Sequence, residues 1–192
     1  VHFDVFRVEM PHVLLVEMAI HTFDQASFLT GCDAQSVYCH EWNPPVPWSG
    51  HEPSAVAIFE LGNGIVYTYR GSWCAEGQRT AWESEWRIIG DKGSAFWDGA
   101  QVFRAEIAAK RSGLLSDLRE LKVPLYEDLD SPKADGSEHH HTRLIRDFCD
   151  AIRTGRTPST ICTDNIKSLA MVFGAIDSAE REAKVAVPPG SE

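Results

Sequence analysis

The chain has 192 residues, of which 43% are hydrophobic, so it can bury a sizeable core in one large or two small domains. Its formal net charge is -10, with 28 acidic against 18 basic residues, which argues against nucleic acid and anionic membranes as partners. Both of those partners require clustered Lys and Arg. No apolar run reaches the about 18 residues of a transmembrane helix.

The cysteine content favours a reducing, cytoplasmic compartment. Five cysteines form no C-x-x-C pair, and an odd number does not suit a disulfide framework. The chain begins at Val1 without a start methionine or an apolar leader, so we expect no signal peptide. We interpret the sequence as part of a longer protein.

The first half of the chain predicts a helix followed by hairpins. Residues 1–9 alternate loosely, as in a strand, and a helix is expected from about Val13 to Leu29, ended by Gly31. "QSVYCHEWN" has strand composition, and the prolines of residues 44–53 indicate a loop. Two hairpins follow, with turns at residues 62–64 (GNG) and 91–93 (DKG), and "QVFRAEIAAK" predicts another strand.

The second half predicts one more strand, two helices and a short terminal strand. We expect the strand at about Leu121–Leu125, within a long polar segment. "HHTRLIRDFCDAIRTG" and "TDNIKSLAMVFGAIDSAEREA" carry apolar residues at helical spacing, and "KVAVP" has strand composition.

This order predicts the α+β class, with an open, largely antiparallel or mixed sheet and helices packed on one face. The other face then needs a cover, and we expect a second copy of the chain to provide it through a homo-oligomer. The expectation is based on large aromatic residues of the predicted strands, namely Phe59, Tyr67, Tyr69, Trp73, Trp86, Phe96 and Trp97.

Three ionisable residues share one edge of the first helix. Glu17, His21 and Asp24 are spaced i, i+4, i+7 and fall within about 60° on an ideal helix. A carboxylate beside an imidazole can set its tautomer and raise its basicity, which suits general acid–base chemistry. An ordinary surface Glu–His pair is the alternative. We call these three residues the polar edge.

Other chemical motifs are weak. The run EHHH at residues 138–141 does not indicate a metal site, because adjacent helical residues point about 100° apart. No G-x-S-x-G suggests a nucleophile, and no G-x-G-x-x-G follows a strand, so we assign no cofactor-binding or metal-binding residue. Trp73 and Trp82, like Trp48, lie near loops or strand ends and can line a sugar-sized pocket or simply pack.

Three segments together resemble the C-terminal domain of the Gfo/Idh/MocA oxidoreductases. "EMAIHTFDQASFLTG" is similar to the family's D-x-x-x-H-x-x-D segment, and "WRIIGDKGSAFWDG" to its hairpin. "TRLIRDFCDAIRTGRTPSTICTDNIKSLAMVFGAIDSAEREAKVAV" is similar to its closing helices and strand. The resemblance covers nearly all of residues 8 to 187, and its specificity comes from the order and spacing of the motifs.

The resemblance implies that residues 1–192 form a substrate-binding and oligomerisation domain. The missing N-terminal part would be a Rossmann domain that binds NAD or NADP, and the substrate a sugar, inositol or related polyol. His21 matches the residue that acts on the substrate hydroxyl, and Glu17 stands where the family usually has Asp. Asp24 matches a following acid of the family, whose role is mainly structural. Our candidate catalytic residues are thus His21 and Glu17, and our candidate substrate-binding residues are Asp24, Trp73 and Trp82.

Two alternatives remain at this level. The chain can be a binding or dimerisation module of the same fold that has lost catalysis, as the change from Asp to Glu at position 17 suggests. It can also belong to a family member that uses NAD for a non-redox outcome such as glycoside cleavage.

Overall fold

The computed structural model describes residues 5–45, 48–112, 115–122 and 140–189. The chain divides into two compact units. The first comprises Val1–Glu76 and Thr157–Glu192, and the second Gly77–Arg156. In chain order the elements are α1 (Val5–Glu9), a π-helical turn (Leu15–Ala19), α2 (Ile20–Thr30), β1 (Ala34–Trp42), β2 (Ser54–Leu61), a 3-10 turn (Gly62–Gly64), β3 (Val66–Ser72), β4 (Trp86–Ile89), β5 (Gly93–Trp97), β6 (Phe103–Ser112), β7 (Leu115–Glu120), α3 (His140–Thr154), α4 (Cys162–Arg181) and β8 (Val185–Ala186).

Each unit contains one four-stranded antiparallel sheet. In the first unit the strand order is β3-β2-β1-β8, and in the second it is β4-β5-β6-β7. The predicted α+β class and the antiparallel pairing are therefore confirmed, with the strands distributed over two sheets. Both predicted hairpins are present, and Asn63 takes the left-handed backbone (φ 58°) that the tight turn after β2 requires.

The core of the first unit lies between its sheet and the helices α2 and α4. Phe23 of α2 is fully buried and meets the rings of Phe59 and Tyr69 edge-to-face, with centroids 4.8 and 5.2 Å away. The buried hydroxyl of Ser178 in α4 accepts the backbone N–H of Cys39 in β1 at 2.8 Å. Apolar packing and a satisfied polar bridge thus hold the helices on one face of the sheet.

Several of the aromatic residues that we expected on an uncovered sheet face lie in the core instead. Phe59, Tyr67 and Tyr69 are on the covered face, because alternate residues of β2 and β3 point to opposite sides. The uncovered face of the larger sheet instead carries partly exposed apolar side chains interleaved with polar ones. We call this set the outer apolar patch, and it consists of Tyr38, Val56, Ile58 and Val66.

Three other expectations need correction. Val5–Glu9 is the helix α1 and not a strand; residues 1–4 lie outside the described residues. The expected helix between Val13 and Leu29 is present, but it contains the π-helical turn, and Gly31 ends it with φ 64°. The late strand is Leu115–Glu120, paired with β6, instead of Leu121–Leu125, whose last three residues are also outside the described ones.

The two predicted C-terminal helices and the terminal strand are confirmed as α3, α4 and β8. Their apolar faces differ in burial. Met171 and Val172 of α4 are buried against the sheet, whereas Leu144, Phe148 and Ile152 of α3 are exposed. Among the described residues, no helix is both long and apolar enough to cross a membrane.

Close packing at Gly71 gives a test of this core. A Cβ at Gly71 would overlap the ring of Tyr69 and lie 3.2 Å from Cδ2 of Leu14. Gly71→Ala should therefore lower the free energy of unfolding by about 1–3 kcal/mol, the usual cost of overpacking. Urea denaturation checks this, with Gly62→Ala as control because its Cβ would meet only ordinary contacts at 3.5 Å from Cys32. Equal stability of the two variants would contradict the described position of Tyr69.

Candidate functional site

Two residues of the polar edge, His21 and Asp24, lie on α2 among buried neighbours. Thr22 and Phe23 are buried, and the Thr22 hydroxyl donates to the carbonyl of Ala19 at 2.9 Å. His21 and Asp24 themselves are exposed. The apolar pattern of α2 thus places an imidazole and a carboxylate where a small molecule can reach them.

Glu17 lies in the π-helical turn, so the ideal helix used to align the three residues does not hold there. A π turn is wider than an α turn and shifts the side chains that precede it relative to those that follow. Such turns occur often at functional sites. Glu17 is half-buried, with 27% of its side chain exposed, in contrast to the exposed His21.

The carboxylate of Glu17 forms a two-point ion pair with Arg7 of α1. Nε of Arg7 donates to Oε2 of Glu17 at 2.6 Å, and a terminal guanidinium nitrogen donates to Oε1. No local sequence pattern predicts this contact, because the two residues are ten positions apart and belong to separate helical segments. The positive charge of Arg7 therefore balances the negative charge of the Glu17 carboxylate.

Asp24 is tied to the neighbouring helix. Its Oδ1 accepts a hydrogen bond from the hydroxyl of Ser168 in α4 at 2.6 Å. This contact joins α2 to α4 and agrees with the mainly structural role that the resemblance implies. Both carboxylates that flank His21 are thus bound to partners on other elements.

The tryptophan candidates belong to different units. Trp73 follows β3 in the first unit, where its ring lies 5.9 Å from that of Trp48 and its carbonyl accepts the indole N–H of Trp48 at 3.2 Å. Trp82 belongs to the second unit, and 65% of it is exposed. A substrate-binding role stays a prediction for Trp73 and Trp82, as the catalytic role does for Glu17 and His21.

Burial also raises the pKa of three titratable groups in the core of the first unit. It raises the pKa of Tyr67 and of Tyr69 far above the usual range, with a hydrogen bond between Thr22 and Tyr67 partly offsetting the effect at Tyr67. Burial, together with the charge of Glu41, raises the pKa of Cys39 to about 12. None of these three groups can exchange a proton readily near neutral pH.

A buried acid–base pair that sequence reasoning missed lies just before the helix. Nδ1 of His12 is 2.5 Å from Oε2 of Glu41, whose side chain is only 4% exposed, and Nε2 of His12 is 3.5 Å from Oε1 of Glu180. His12 has a left-handed backbone (φ 54°), which is uncommon for a residue other than glycine. Val16 N–H bonds to the His12 carbonyl at 3.0 Å, so this pair fixes the beginning of the helix.

The second unit contains a separate concave surface. Its volume is about 610 Å³, and the exposed Arg87 and Arg104 line it together with three glutamates and Phe96. The guanidinium of Arg104 lies 5.2 Å from the centre of the Phe96 ring. In the part of the chain that the structure describes, no group of three or more His, Cys, Asp or Glu could hold a metal ion. Of the EHHH run, residues 138–139 lie outside the described part, and only the backbone of His140 and His141 is described.

Comparison with protein families identifies the region that carries the polar edge. Residues 5–96 match the family model described as the GFO/IDH/MocA C-terminal domain. These residues belong to a Gfo/Idh/MocA C-terminal domain. The resemblance inferred from the sequence is thereby confirmed for the segment that holds Arg7, Glu17 and His21.

The relatives that the chain matches are about twice as long as the chain. The uncharacterised protein y4oX of Sinorhizobium fredii (strain NBRC 101917 / NGR234) is 26% identical over 179 residues, which cover 90% of this chain and 46% of that protein. An oxidoreductase from Agrobacterium radiobacter in complex with NAD+, L-tartaric acid and magnesium has a TM-score of 0.70 at 22% identity, over 96% of this chain and 54% of that chain.

Two further solved structures share the fold. Levoglucosan dehydrogenase in complex with NADH and L-sorbose has a TM-score of 0.69 at 22% identity, over 91% of this chain and 50% of its own. Aldose–aldose oxidoreductase from Caulobacter crescentus, complexed with glycerol, has a TM-score of 0.65 at 18% identity, over 90% of this chain and 47% of its own. At these identities the likeness establishes the fold of the domain.

The His12–Glu41 pair predicts a particular pH dependence of stability. Burial, together with the charges of Glu52 and Glu180, raises the pKa of Glu41 above its ordinary 4.5, and the contact with His12 only partly offsets this. The folded state therefore binds more protons, so the stability from this group is present below pH 4.5 and is lost as pH rises through the raised value. Relative to Glu41→Gln, the wild type should lose stability as pH increases from 4.5.

Urea denaturation at a series of pH values measures this difference. Glu60→Gln is the matched control, because contacts with Lys184 and Ser36 lower the pKa of the exposed Glu60. Its effect should be small and of opposite sign: stability is lost as pH falls. A difference between wild type and Glu41→Gln that does not change with pH would contradict the buried environment described for the Glu41 carboxylate.

Proposed function

We propose that the chain is the substrate-binding and oligomerisation domain of an NAD(P)-dependent dehydrogenase that acts on a sugar, an inositol or a related polyol. The observation that carries the proposal is the exposed His21 on the polar edge, within a Gfo/Idh/MocA domain, with each flanking carboxylate bound to another element. The relatives with NAD+, NADH, L-sorbose or glycerol in their structures support both the cofactor class and the substrate class.

The dinucleotide would be held mainly by a part of the full-length protein outside these 192 residues. The sequence contains no glycine-rich turn of the kind that cradles a pyrophosphate after a strand, so its residues do not form that site by themselves. The chain spans about half the length of its relatives, which leaves room for a separate Rossmann domain. When bound, the cofactor would supply hydride chemistry.

The part proposed for this chain is proton transfer. A positioned imidazole can take the proton of a substrate hydroxyl as the carbon beneath it is oxidised, or return it in the reverse direction. Asp24, through Ser168, and Phe23, through the core, fix the helix on which His21 is carried. Glu17 would orient the imidazole or a substrate hydroxyl from the adjoining turn.

A non-catalytic binding module of the same fold is the second candidate. The departure from Asp to Glu at position 17 favours it, because the added methylene changes the reach of the carboxylate. A non-redox reaction that uses NAD, such as glycoside cleavage, is the third. The measurement of hydride transfer by the His21 variant separates the first candidate from the second.

The homo-oligomer proposed from the sequence would form through the outer apolar patch of the larger sheet. Ile58 lies between Tyr38 and Thr68 on neighbouring strands and is 47% exposed, and Val66 is 62% exposed. Burying such a patch against a second copy would remove its apolar surface from water.

The role of His21 is tested in the full-length protein with NAD or NADP and with levoglucosan and L-sorbose as first probes. His21→Asn should slow single-turnover hydride transfer by about 10²- to 10⁴-fold, the usual contribution of a positioned acid–base group, with cofactor affinity unchanged. His51→Asn, a change in the loop before β2, is the control. Wild-type turnover by a folded His21→Asn protein would exclude the catalytic assignment and leave the binding module as the better candidate.

The outer apolar patch is tested by sedimentation of the chain at micromolar concentration. We expect the wild type to sediment as a dimer or larger species and Ile58→Glu as a monomer with unchanged circular dichroism, since a buried charge at an interface is strongly unfavourable. Leu118→Glu, at an exposed position of β7, should leave the assembly intact. A monomeric wild type would rule out this interface.

A further inference from the structure

Arg7 connects the polar edge to the rest of the first unit. Its guanidinium contacts both oxygens of Glu17, and the pair is half-buried, with 30% and 27% of the two side chains exposed. Two parallel N–H···O bonds define the plane of the carboxylate as well as its position. The contact therefore restricts the Glu17 side chain more than a single-point ion pair would.

The short helix that carries Arg7 is itself held by the loop after β1. The carbonyl of Val8 accepts the backbone N–H of Gly50 at 2.8 Å and the hydroxyl of Ser49 at 3.4 Å. A Cβ at Gly50 would lie 3.3 Å from the same carbonyl, so the loop and α1 are closely apposed. The preceding Trp48 is anchored to the carbonyl of Trp73 at 3.2 Å. The position of Arg7 is thus determined by contacts that do not involve Glu17.

The length of the Glu17 side chain matches this arrangement. The family resemblance has Asp at this position, and Glu17 has one more methylene with which to reach α1. The π-helical turn also places Glu17 on a wider turn of the helix than His21. The carboxylate is consequently positioned by α1 as well as by its own helix.

We propose that Arg7 is a positioning residue for proton transfer at His21. It holds the Glu17 carboxylate in one orientation and balances its negative charge, and Glu17 precedes His21 by four residues on the same helical segment. The catalytic part of this inference rests on the proposed function, in which His21 transfers a proton. The coupling from Arg7 through Glu17 to His21 is a property of this chain that can be measured without any substrate.

The first experiment is NMR of the 192-residue chain at one fixed pH. The ring signals of His21 should move in Arg7→Gln and in Glu17→Gln, and the Arg7 Nε–H signal, protected in the wild type, should broaden or disappear in Glu17→Gln. Arg7→Lys keeps the charge but loses the planar fork, so it should give an intermediate position of the His21 signals. The matched control is Arg153→Gln, which removes an exposed ion pair with Asp150 at 3.2 Å.

The second experiment uses the full-length enzyme. Arg7→Gln should lower kcat by up to about 10²-fold, as misplacement of a catalytic group by about 1 Å can, while KM changes little, and Arg7→Lys should recover part of the loss. Unmoved His21 signals in a folded Arg7→Gln chain, or equal kcat for wild type and Arg7→Gln, would overturn the inference. A fully active His21→Asn enzyme would instead defeat the proposed function, whatever the NMR result for Arg7.

Discussion

The burial of Phe23 is the constraint on which the arrangement of the first unit depends. Its ring is fully buried and packs edge-to-face on Phe59 and Tyr69, which fixes the rotation of α2 above the sheet. Residues two positions apart on an α-helix point about 200° apart. Fixing Phe23 in the core therefore forces His21 outward. The same packing that stabilises the domain presents its candidate catalytic group.

Electrostatic contacts then define what surrounds that group. Arg7 binds Glu17, Ser168 binds Asp24, and the pair of His12 with Glu41 holds the beginning of the helix against β1. The contact between His12 and Glu41 costs free energy, because it removes the Glu41 carboxylate from water and requires a left-handed backbone at His12. A strained backbone persists only where surrounding contacts hold it in place. Here Glu41 of β1 and Glu180 of α4 contact the His12 ring and hold it.

Local sequence signals predicted most of the fold and part of the site. Turn residues such as Asn63 defined the hairpins, and helical spacing defined α2 and α4, because both effects act over a few neighbouring residues. The uncovered sheet face was assigned wrongly, since aromatic content alone does not tell on which side Phe59 and Tyr67 point. Arg7 with Glu17 and His12 with Glu41 are 10 and 29 positions apart, and neither contact has a local signature.

These contacts also bear on which group near α2 can exchange a proton. Burial raises the pKa of Tyr67 and Tyr69 further above neutral pH, and the carboxylates of Glu17 and Asp24 each accept hydrogen bonds from a donor on another element. Imidazole is the side chain whose ordinary titration lies closest to neutral pH, and His21 is the exposed residue between those carboxylates. The chemistry of its neighbours thus makes His21 the candidate for proton transfer on this helix, while Arg7 determines the orientation of the nearby Glu17 carboxylate.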